Sequence, residues 1–301
     1  MNSIFSRRRF LKAAALPATA AVVPGCWSRA ASPAEEEEDA FTLNKKPLKL
    51  GLMTYTLAEN WDIETIIKNL SETGFQSVEL RTTHSHGVEV NLSATERAEV
   101  KRRFEDSPLE TISLASAFQY HWTDPGELQK HIEGTKEYSL LARDVGATSI
   151  RVFPNAFPEG VPEEQTMEQI GKALAEVGEF AYDNGVKIKV CVHGKKTARV
   201  PVIKKIIDYS QSPHVYVNWN CNLNDGEGNG FEHNFNLLKD RIISLHTHDL
   251  WDDKYPYRLL LKLLAESGFD GYCNAEIPGN EDPIRILRYY RSLFLSLQNA
   301  Y

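Results

Sequence analysis

The feature that most constrains the fold is a regular alternation of short β-rich segments with longer amphipathic ones, which begins at Leu48. Parallel strands cannot be joined by a tight turn and need a crossover, usually a helix, so this alternation favours a parallel sheet covered by helices. Eight candidate strands follow from the pattern: Leu48–Tyr55, Ser77–Arg81, Glu110–Ala115, Ser149–Phe153, Lys187–Val192, Val215–Trp219, Ile242–His246 and Gly271–Glu276.

The segments between these strands carry apolar residues at helical spacing. Such stripes comprise Ile63, Ile66, Ile67 and Leu70, then Met167, Ile170, Leu174 and Val177, and then Leu260, Leu263 and Leu264. Glycines that suit a left-handed helix end follow four of the helical segments, at Gly74, Gly146, Gly185 and Gly268. Eight strand–helix units in about 260 residues predict an α/β fold of the closed (β/α)₈ type, a TIM barrel, as a single domain over residues 41–301. An open doubly wound sheet is the alternative; its dinucleotide-binding form is disfavoured because no G-x-G-x-x-G follows the first strand.

Residues 1–40 have the pattern of a transport segment followed by a linker. Ser6-Arg7-Arg8-Arg9-Phe10-Leu11-Lys12 is typical of a twin-arginine signal, and the mildly apolar run of residues 13–23 is too short to span a membrane. The acidic stretch of residues 35–39 completes a polar linker with too little apolar surface to fold. We therefore expect export to the periplasm.

Val23-Pro24-Gly25-Cys26 resembles a lipoprotein cleavage site, although Pro24 is unusual there. Two outcomes remain open: a lipid anchor on Cys26, or cleavage without lipidation. The other cysteines are Cys191, Cys221 and Cys273, and no C-x-x-C spacing indicates a zinc knuckle or a redox motif. Their spacing does not decide whether any of them form a disulfide.

The formal net charge of −7 argues against nucleic acid as a partner, because such binding needs a cationic face that displaces counterions. Composition is otherwise that of a globular protein, 42% hydrophobic and 25% charged. A small-molecule ligand is the expected partner; the oligomeric state is left open.

Polar residues follow nearly every predicted strand, where a (β/α)₈ barrel carries its active site. Five of the nine histidines lie after the second, fifth and seventh strands: His84, His86, His193, His246 and His248. Because the ends of these strands converge in a barrel, the histidines predict a polar ligand site that suits metal binding or acid–base chemistry.

The runs Cys191-Val192-His193-Gly194, His246-Thr247-His248-Asp249 and Asn274-Ala275-Glu276, with Val215–Asn220, resemble the sugar phosphate isomerase/epimerase (xylose isomerase-like) barrels over residues 48–298. The resemblance implies a divalent metal held by Glu, Asp, His and Glu after strands five to eight. It also implies that the two glutamates move a proton at a substrate carbon. Carried onto this chain, the strand-seven and strand-eight ligands fall on His248 and Glu276, whereas Cys191 and Asn220 stand where the family has its first glutamate and its aspartate.

This departure weakens the expected affinity for hard Mg²⁺, because Cys191 and Asn220 replace two of the family's three carboxylates and only Glu276 remains. We expect Zn, Mn or a similar divalent ion, with His248, Glu276, Asn220 and Cys191 as ligands. Glu276 is the expected acid–base residue, and His193 or His84 is expected to replace the missing carboxylate.

The substrate implied is a carbohydrate or polyol derivative. Expected substrate contacts are Arg81, His86, His121, Arg151, Asn218, His246 and Trp219. Two roles are open for Arg81 and Arg151: binding an anionic substituent, or an ion pair with Glu79 or another rim acid. Aromatic residues near the strand ends would stack on sugar faces, although a tryptophan is as often part of the core.

Three functions compete. An isomerase- or epimerase-like enzyme, or a lyase or hydrolase on a sugar derivative, fits the histidine-rich rim. An exported sugar-binding barrel without catalysis fits the missing acids at Cys191 and Asn220. An abasic-site nuclease would need more acidic and histidine ligands and a basic surface, which the net charge opposes.

Overall fold

The computed structural model describes residues 47–298, which form a closed parallel barrel of eight strands in sequential order. The strands are β1 Lys49–Met53, β2 Ser77–Arg81, β3 Thr111–Gln119, β4 Ser149–Phe153, β5 Lys187–Cys191, β6 Val215–Trp219, β7 Ile242–Thr247 and β8 Tyr272–Ala275. The helices are α1 Ile63–Thr73, α2 Ala94–Glu105, α3 Pro125–Val145, α4 Glu163–Asp183, α5 Val200–Ser210, α6 Phe231–Leu238, α7 Tyr257–Ser267 and α8 Pro283–Leu297. The predicted single (β/α)₈ barrel is therefore confirmed.

The predicted strands agree closely with the observed ones, and the largest difference is in β3. That strand runs to Gln119, and its pairing with β4 shifts between Ala115 and Gln119. The side chain of Ser116 donates to the Arg151 carbonyl at 2.8 Å within this irregular stretch, so the chain stays beside β4 beyond the apolar run that the sequence reveals.

The apolar helical stripes pack on the barrel as expected. Ile66 and Leu70 of α1 are fully buried, as are Ile170, Leu174 and Val177 of α4, whereas Ile67 and Leu263 are only partly buried. The cap glycines Gly74, Gly146 and Gly268 have positive φ and bond back to their helices, as their position after the apolar stripe predicts.

The barrel interior is polar where such barrels usually hold branched aliphatic side chains. We call Glu79, Ser113, Lys189, His246 and Asn274 the interior polar cluster. Glu79 Oε2 accepts hydrogen bonds from Lys189 Nζ at 2.7 Å and from Asn274 Nδ2 at 3.0 Å. A buried charge is tolerated only when it is paired and hydrogen-bonded, and the cluster meets both conditions.

Cys191, Cys221 and Cys273 are buried free thiols, so none of the three forms a disulfide. Within residues 47–298, no helix has the length and apolarity to cross a bilayer. The predicted twin-arginine signal, the acidic linker and Cys26 lie outside the described residues.

Candidate active site

A cavity of about 600 Å³ opens at the carboxyl ends of the strands. Eight predicted site residues line it: Arg81, Arg151, Cys191, His193, Asn220, His246, His248 and Glu276. They come from six different strand ends, which the closed barrel brings together although they are up to 195 positions apart in the chain.

Glu276 directly follows β8 and places its carboxylate against two histidines. Oε2 lies 3.3 Å from Nδ1 of His246 and 4.0 Å from Nδ1 of His248. Burial raises the pKa of this carboxyl, but the charges of His246, His248 and Arg151 outweigh burial and lower it. Glu276 is therefore ionised near neutral pH and can accept a proton.

His246 lies at the floor of the cavity, between two carboxylates, and is 1% exposed. Its Nε2 donates to Glu79 Oε1 at 3.1 Å, while Nδ1 faces Asn220 Oδ1 at 3.2 Å and Glu276 Oε2 at 3.3 Å. Although burial opposes the charged form, the charges of Glu79 and Glu276 raise the pKa of His246 well above its usual value. Both ring nitrogens thus carry protons that are directed at protein acceptors.

The predicted ligands do not fit a divalent metal. Nε2 and Nδ1 of His248 face the backbone carbonyls of Asn220 and Glu276, at 2.9 and 3.3 Å. The Cys191 thiol donates to Asn220 Oδ1 at 3.6 Å, which leaves Glu276 as the single carboxylate of the set. Among residues 47–298, no three His, Cys, Asp or Glu side chains form a group that could hold an ion. A protonated His246 offers no lone pair in place of His248, so we derive no step through a metal.

His193 lies in the loop after β5 and lines the same cavity. Its ring centre is 4.7 Å from that of Phe153. Desolvation and the positive charge of Arg151 lower its pKa, so the imidazole is neutral near pH 7 and can accept a proton.

Arg151 and Arg81 line the cavity, and neither forms an ion pair with a carboxylate of residues 47–298. Arg151 is 3% exposed, and its NH1 donates to the Ser116 carbonyl at 2.8 Å. Arg81 NH1 donates to the carbonyl and hydroxyl of Thr82, at 2.5 and 2.8 Å. The ion pair with Glu79, one of the two predicted roles for these arginines, does not form, because Glu79 is bonded to Lys189 at 2.7 Å.

Three predicted histidines lie outside the cavity lining. His86 is buried; its Nε2 donates to the Arg81 carbonyl at 2.7 Å and its Nδ1 accepts from Val88 N at 3.1 Å. His84 contacts Thr54 Oγ1 at 3.1 Å, and burial together with the Arg81 charge lowers its pKa to about 4. The ring of His121 stacks on Trp122 at 4.8 Å in the loop after β3. His86 thus holds the loop after β2 in shape. These histidines contact the cavity lining from behind, through the Arg81 carbonyl and through Tyr55, whose ring stacks with that of His84 at 6.2 Å.

Asn218 and Trp219 also differ from their predicted role as substrate contacts. Both are 0% exposed. Asn218 accepts from Ser244 Oγ at 2.6 Å and donates to Cys191 Sγ, so it supports the cavity floor from below. Trp219 donates to the Tyr255 hydroxyl at 2.8 Å and packs on the aromatic ring of Phe235, because alternate side chains of a strand point away from the barrel axis. Its ring is therefore not accessible to a sugar.

Sequence reasoning missed Lys189, which is the partner of Glu79 in the floor of the cavity. The signal for Lys189 is its place between Ile188 and Val190 at the centre of the strand Lys187–Cys191, where a lysine indicates a buried cation. Glu79 in β2 is the matching acid, and both side chains point inward. The cavity is also lined by residues to which the sequence assigned no individual role: Tyr55, Thr56, Phe153, Asp249, Ile277 and Pro278.

Solved structures with the same fold are sugar epimerases and related barrels. D-psicose 3-epimerase from Clostridium cellulolyticum H10, crystallised with D-tagatose, superposes with a TM-score of 0.70 at 12% identity and covers 84% of this chain and 99% of its own. The 3-keto-D-glucoside 4-epimerase YcjR from E. coli gives 0.68 at 13% identity over 83% and 99%. The IolI protein with a bound zinc atom gives 0.63 at 16% identity over 84% and 99%. Identities this low show likeness of fold.

No curated protein matches the sequence. The family model described as xylose isomerase-like TIM barrel matches residues 67–293, which is more than half of the chain. The chain therefore belongs to the xylose isomerase-like TIM barrel family.

Proposed function

We propose that the protein is a sugar-modifying enzyme of the isomerase or epimerase type, acting on a small carbohydrate derivative in the cavity at the strand ends. The observation that carries the proposal is the ionised Glu276 carboxylate, held 3.3 Å from the buried His246 on the wall of that cavity. The sugar epimerases among the solved structures of this fold support the same reaction class.

In this proposal Glu276 accepts the proton from a carbon that bears a hydroxyl group beside a carbonyl. The carboxylate oxygen that takes the proton is kept in place by His246, whose other nitrogen is anchored on Glu79 at 3.1 Å. His193, neutral and facing the same cavity, exchanges the second proton with the substrate oxygen or carbon. Isomerisation moves the proton on Glu276 to the neighbouring carbon, while His193 takes the hydroxyl proton and gives its own to the former carbonyl oxygen. Epimerisation returns a proton to the same carbon from the other face: His193 gives that proton and is reprotonated by water, and Glu276 releases its proton to water.

The divalent ion implied by the family resemblance does not enter the proposal. Cys191 and Asn220 supply neutral donors that hydrogen-bond to each other, and the cavity already holds the cationic groups of Arg81 and Arg151. A dication needs more compensating negative charge than the single carboxylate of Glu276 offers.

A non-catalytic sugar-binding barrel is the second candidate. It is favoured by one observation, the lack of an ion-binding group of three His, Cys, Asp or Glu side chains within the part of the chain that is described. Proton exchange distinguishes the two functions, because a binding protein leaves the carbon-bound hydrogens of its sugar untouched.

Export by the twin-arginine route and a lipid anchor at Cys26 stay predictions from the sequence.

The test is solvent deuterium incorporation into sugars. The protein is incubated in D₂O with a panel of aldoses, ketoses, uronic acids and sugar phosphates, and loss of carbon-bound proton signal is followed by NMR. We expect exchange in at least one sugar with the wild type. We expect a loss of about 100-fold or more in Glu276→Gln, since general base catalysis contributes 10²–10⁴-fold.

The matched control is Glu281→Gln, the same substitution at an exposed position of the loop after β8. It should exchange at the wild-type rate. Exchange that persists unchanged in Glu276→Gln, or a wild type inert toward every sugar that it binds, would contradict the enzymatic proposal and favour the binding protein.

A further inference from the structure

Arg151 forms no ion pair with any acid among residues 47–298. The residue is 3% exposed, its NH1 donates to a backbone carbonyl, and its Cζ lies over the Phe153 ring, 3.9 Å from the ring centre. The buried Nε has no hydrogen-bond partner among residues 47–298. A buried cation without a counterion or a full set of acceptors is costly, so such a group normally has a partner that is added from outside.

Arg81 brings a second positive charge to the same side of the cavity. Burial and the charge of Arg151 both lower its pKa, which places the two guanidinium groups within range of mutual repulsion. Like charges held together in a cavity indicate that an anion is expected between or beside them.

The carboxylates near these arginines are engaged elsewhere. Glu79 is bonded to Lys189 and to His246, and Glu276 contacts His246 and His248. Glu89, on the loop after β2, accepts hydrogen bonds from Thr83 N and the Tyr138 hydroxyl. None of these acids lies within ion-pair distance of either guanidinium, so the counterion does not come from them.

We propose that Arg151 and Arg81 form an oxyanion subsite, so that the substrate of this barrel is an acidic sugar derivative with a carboxylate or a phosphate group. The inference rests on the proposed function and adds the substrate class. A guanidinium presents parallel N–H donors in a fixed plane that match the oxygens of either group, and that of Arg151 is packed over the Phe153 ring.

The subsite adjoins the acid–base residues. Arg151 is close enough to lower the pKa of both Glu276 and His193, and all three residues line the same cavity. An anion bound there places the sugar carbons next to the anion within reach of Glu276. Neutral sugars of the same size lack this anchor.

The test compares each acidic sugar with its neutral parent by isothermal titration calorimetry. The pairs are D-glucuronate with D-glucose, D-galacturonate with D-galactose, D-glucose 6-phosphate with D-glucose, and D-fructose 6-phosphate with D-fructose. We expect at least one acidic member to bind the wild type about tenfold or more tightly than its parent, with affinity that falls as salt is added. A preference for uronates identifies a carboxylate subsite, and a preference for the esters identifies a phosphate subsite.

Arg151→Gln should abolish the preference for the acidic member. Because Arg151 is buried, Arg81→Gln serves as a second variant at a half-buried position, and it should reduce the preference without loss of folding. Arg288→Gln, which removes the same charge from the exposed surface of α8, should keep the wild-type preference.

Equal affinity for acidic and neutral members in every pair, or a preference that survives in both arginine variants, overturns the subsite. The outcome is separate from that of the proposed function. Anion preference without deuterium exchange removes the enzyme and keeps the subsite, whereas exchange on neutral sugars without anion preference keeps the enzyme and removes the subsite.

Discussion

At the scale of single residues, Asp225 is a buried carboxyl group that joins two loops by hydrogen bonds and whose protonation affects the stability of the fold. It lies in the loop after β6 and is 0% exposed; its Oδ2 accepts from Asn222 N at 3.0 Å and from the Tyr255 hydroxyl at 2.7 Å. Its Oδ1 has no partner among the described residues. Burial raises the pKa of this carboxyl from 3.8 to about 7.

We predict that Asp225→Asn removes part of the pH dependence of stability. The folded protein keeps a proton on Asp225 that the unfolded chain releases at a lower pH. The unfolding free energy therefore falls as pH rises from about 4 to about 7, by as much as roughly 4 kcal/mol at 1.36 kcal/mol per unit. Urea unfolding at several pH values gives the unfolding free energy of the wild type and of the variant. Groups that titrate in both proteins contribute equally, so the difference between the two curves reports Asp225 alone.

Asp183→Asn, at an exposed position at the end of α4, is the matched control and should keep the wild-type slope. A wild-type slope in Asp225→Asn as well would mean that the Asp225 carboxyl is ionised in the folded protein at low pH.

At the scale of elements, the loop after β5 is locked to the loop after β4 at Gly194. This glycine has φ +102°, and a Cβ there would overlap the Asn155 carbonyl oxygen and Thr197 Oγ1. Thr197 Oγ1 bonds to the carbonyls of both Asn155 and His193, at 2.5 and 2.8 Å. The position of His193 in the cavity thus depends on the close approach of two loops that only glycine allows.

Gly194→Ala is therefore expected to destabilise the protein by about 1–3 kcal/mol and to lower deuterium exchange by displacing His193. Gly160→Ala is the control: φ at Gly160 is +76°, but no atom lies within 4 Å of the added methyl group, so only the conformational cost remains. Chemical unfolding and the exchange assay compare the two variants. Equal losses in both would show that the steric contact with Asn155 has no effect.

At the scale of the whole molecule, the interior polar cluster joins β2 to β5 across the barrel. The Glu79–Lys189 pair is 0% and 1% exposed, and Glu79 also anchors His246 below the cavity. Removing one partner leaves an uncompensated buried charge, whereas removing both leaves none.

We expect Glu79→Gln and Lys189→Met each to cost about 3–5 kcal/mol of unfolding free energy, and the double variant to cost less than the sum of the two. Urea denaturation of the four proteins gives the coupling free energy directly. Additive losses would show that the two charges do not compensate each other in the folded barrel.

The sequence allowed the fold to be predicted almost element by element. Ser77–Arg81, Ser149–Phe153 and Val215–Trp219 were predicted with the bounds that the structure has, because buried parallel strands are short apolar runs between turn residues. The sequence also predicted which end of the barrel carries the candidate site, because the carboxyl ends of all eight parallel strands lie at the same end.

The roles of individual side chains were much less predictable. Three residues next to strand ends have structural roles. His86 holds the loop after β2, Asn218 supports the cavity floor, and Trp219 packs against Phe235 of α6. The histidine beside Glu276 in the floor is His246, whereas the family pattern had pointed to His248. A strand turns successive residues to opposite sides, so a shift of one position exchanges a cavity contact for a core contact. A shift of two positions, as from His246 to His248, keeps the side but moves the side chain along the barrel axis.

Sequence by itself determined what depends on local periodicity: the eight strand–helix units, the helix-ending glycines and the set of polar residues at one end of the barrel. Tertiary structure alone decided which charges are compensated. Lys189 neutralises Glu79 across 110 positions of the chain, and in the described part of the chain Arg81 and Arg151 have no acid within ion-pair distance. Charge compensation depends on distances between side chains from different strands, and those distances exist only after the barrel has closed.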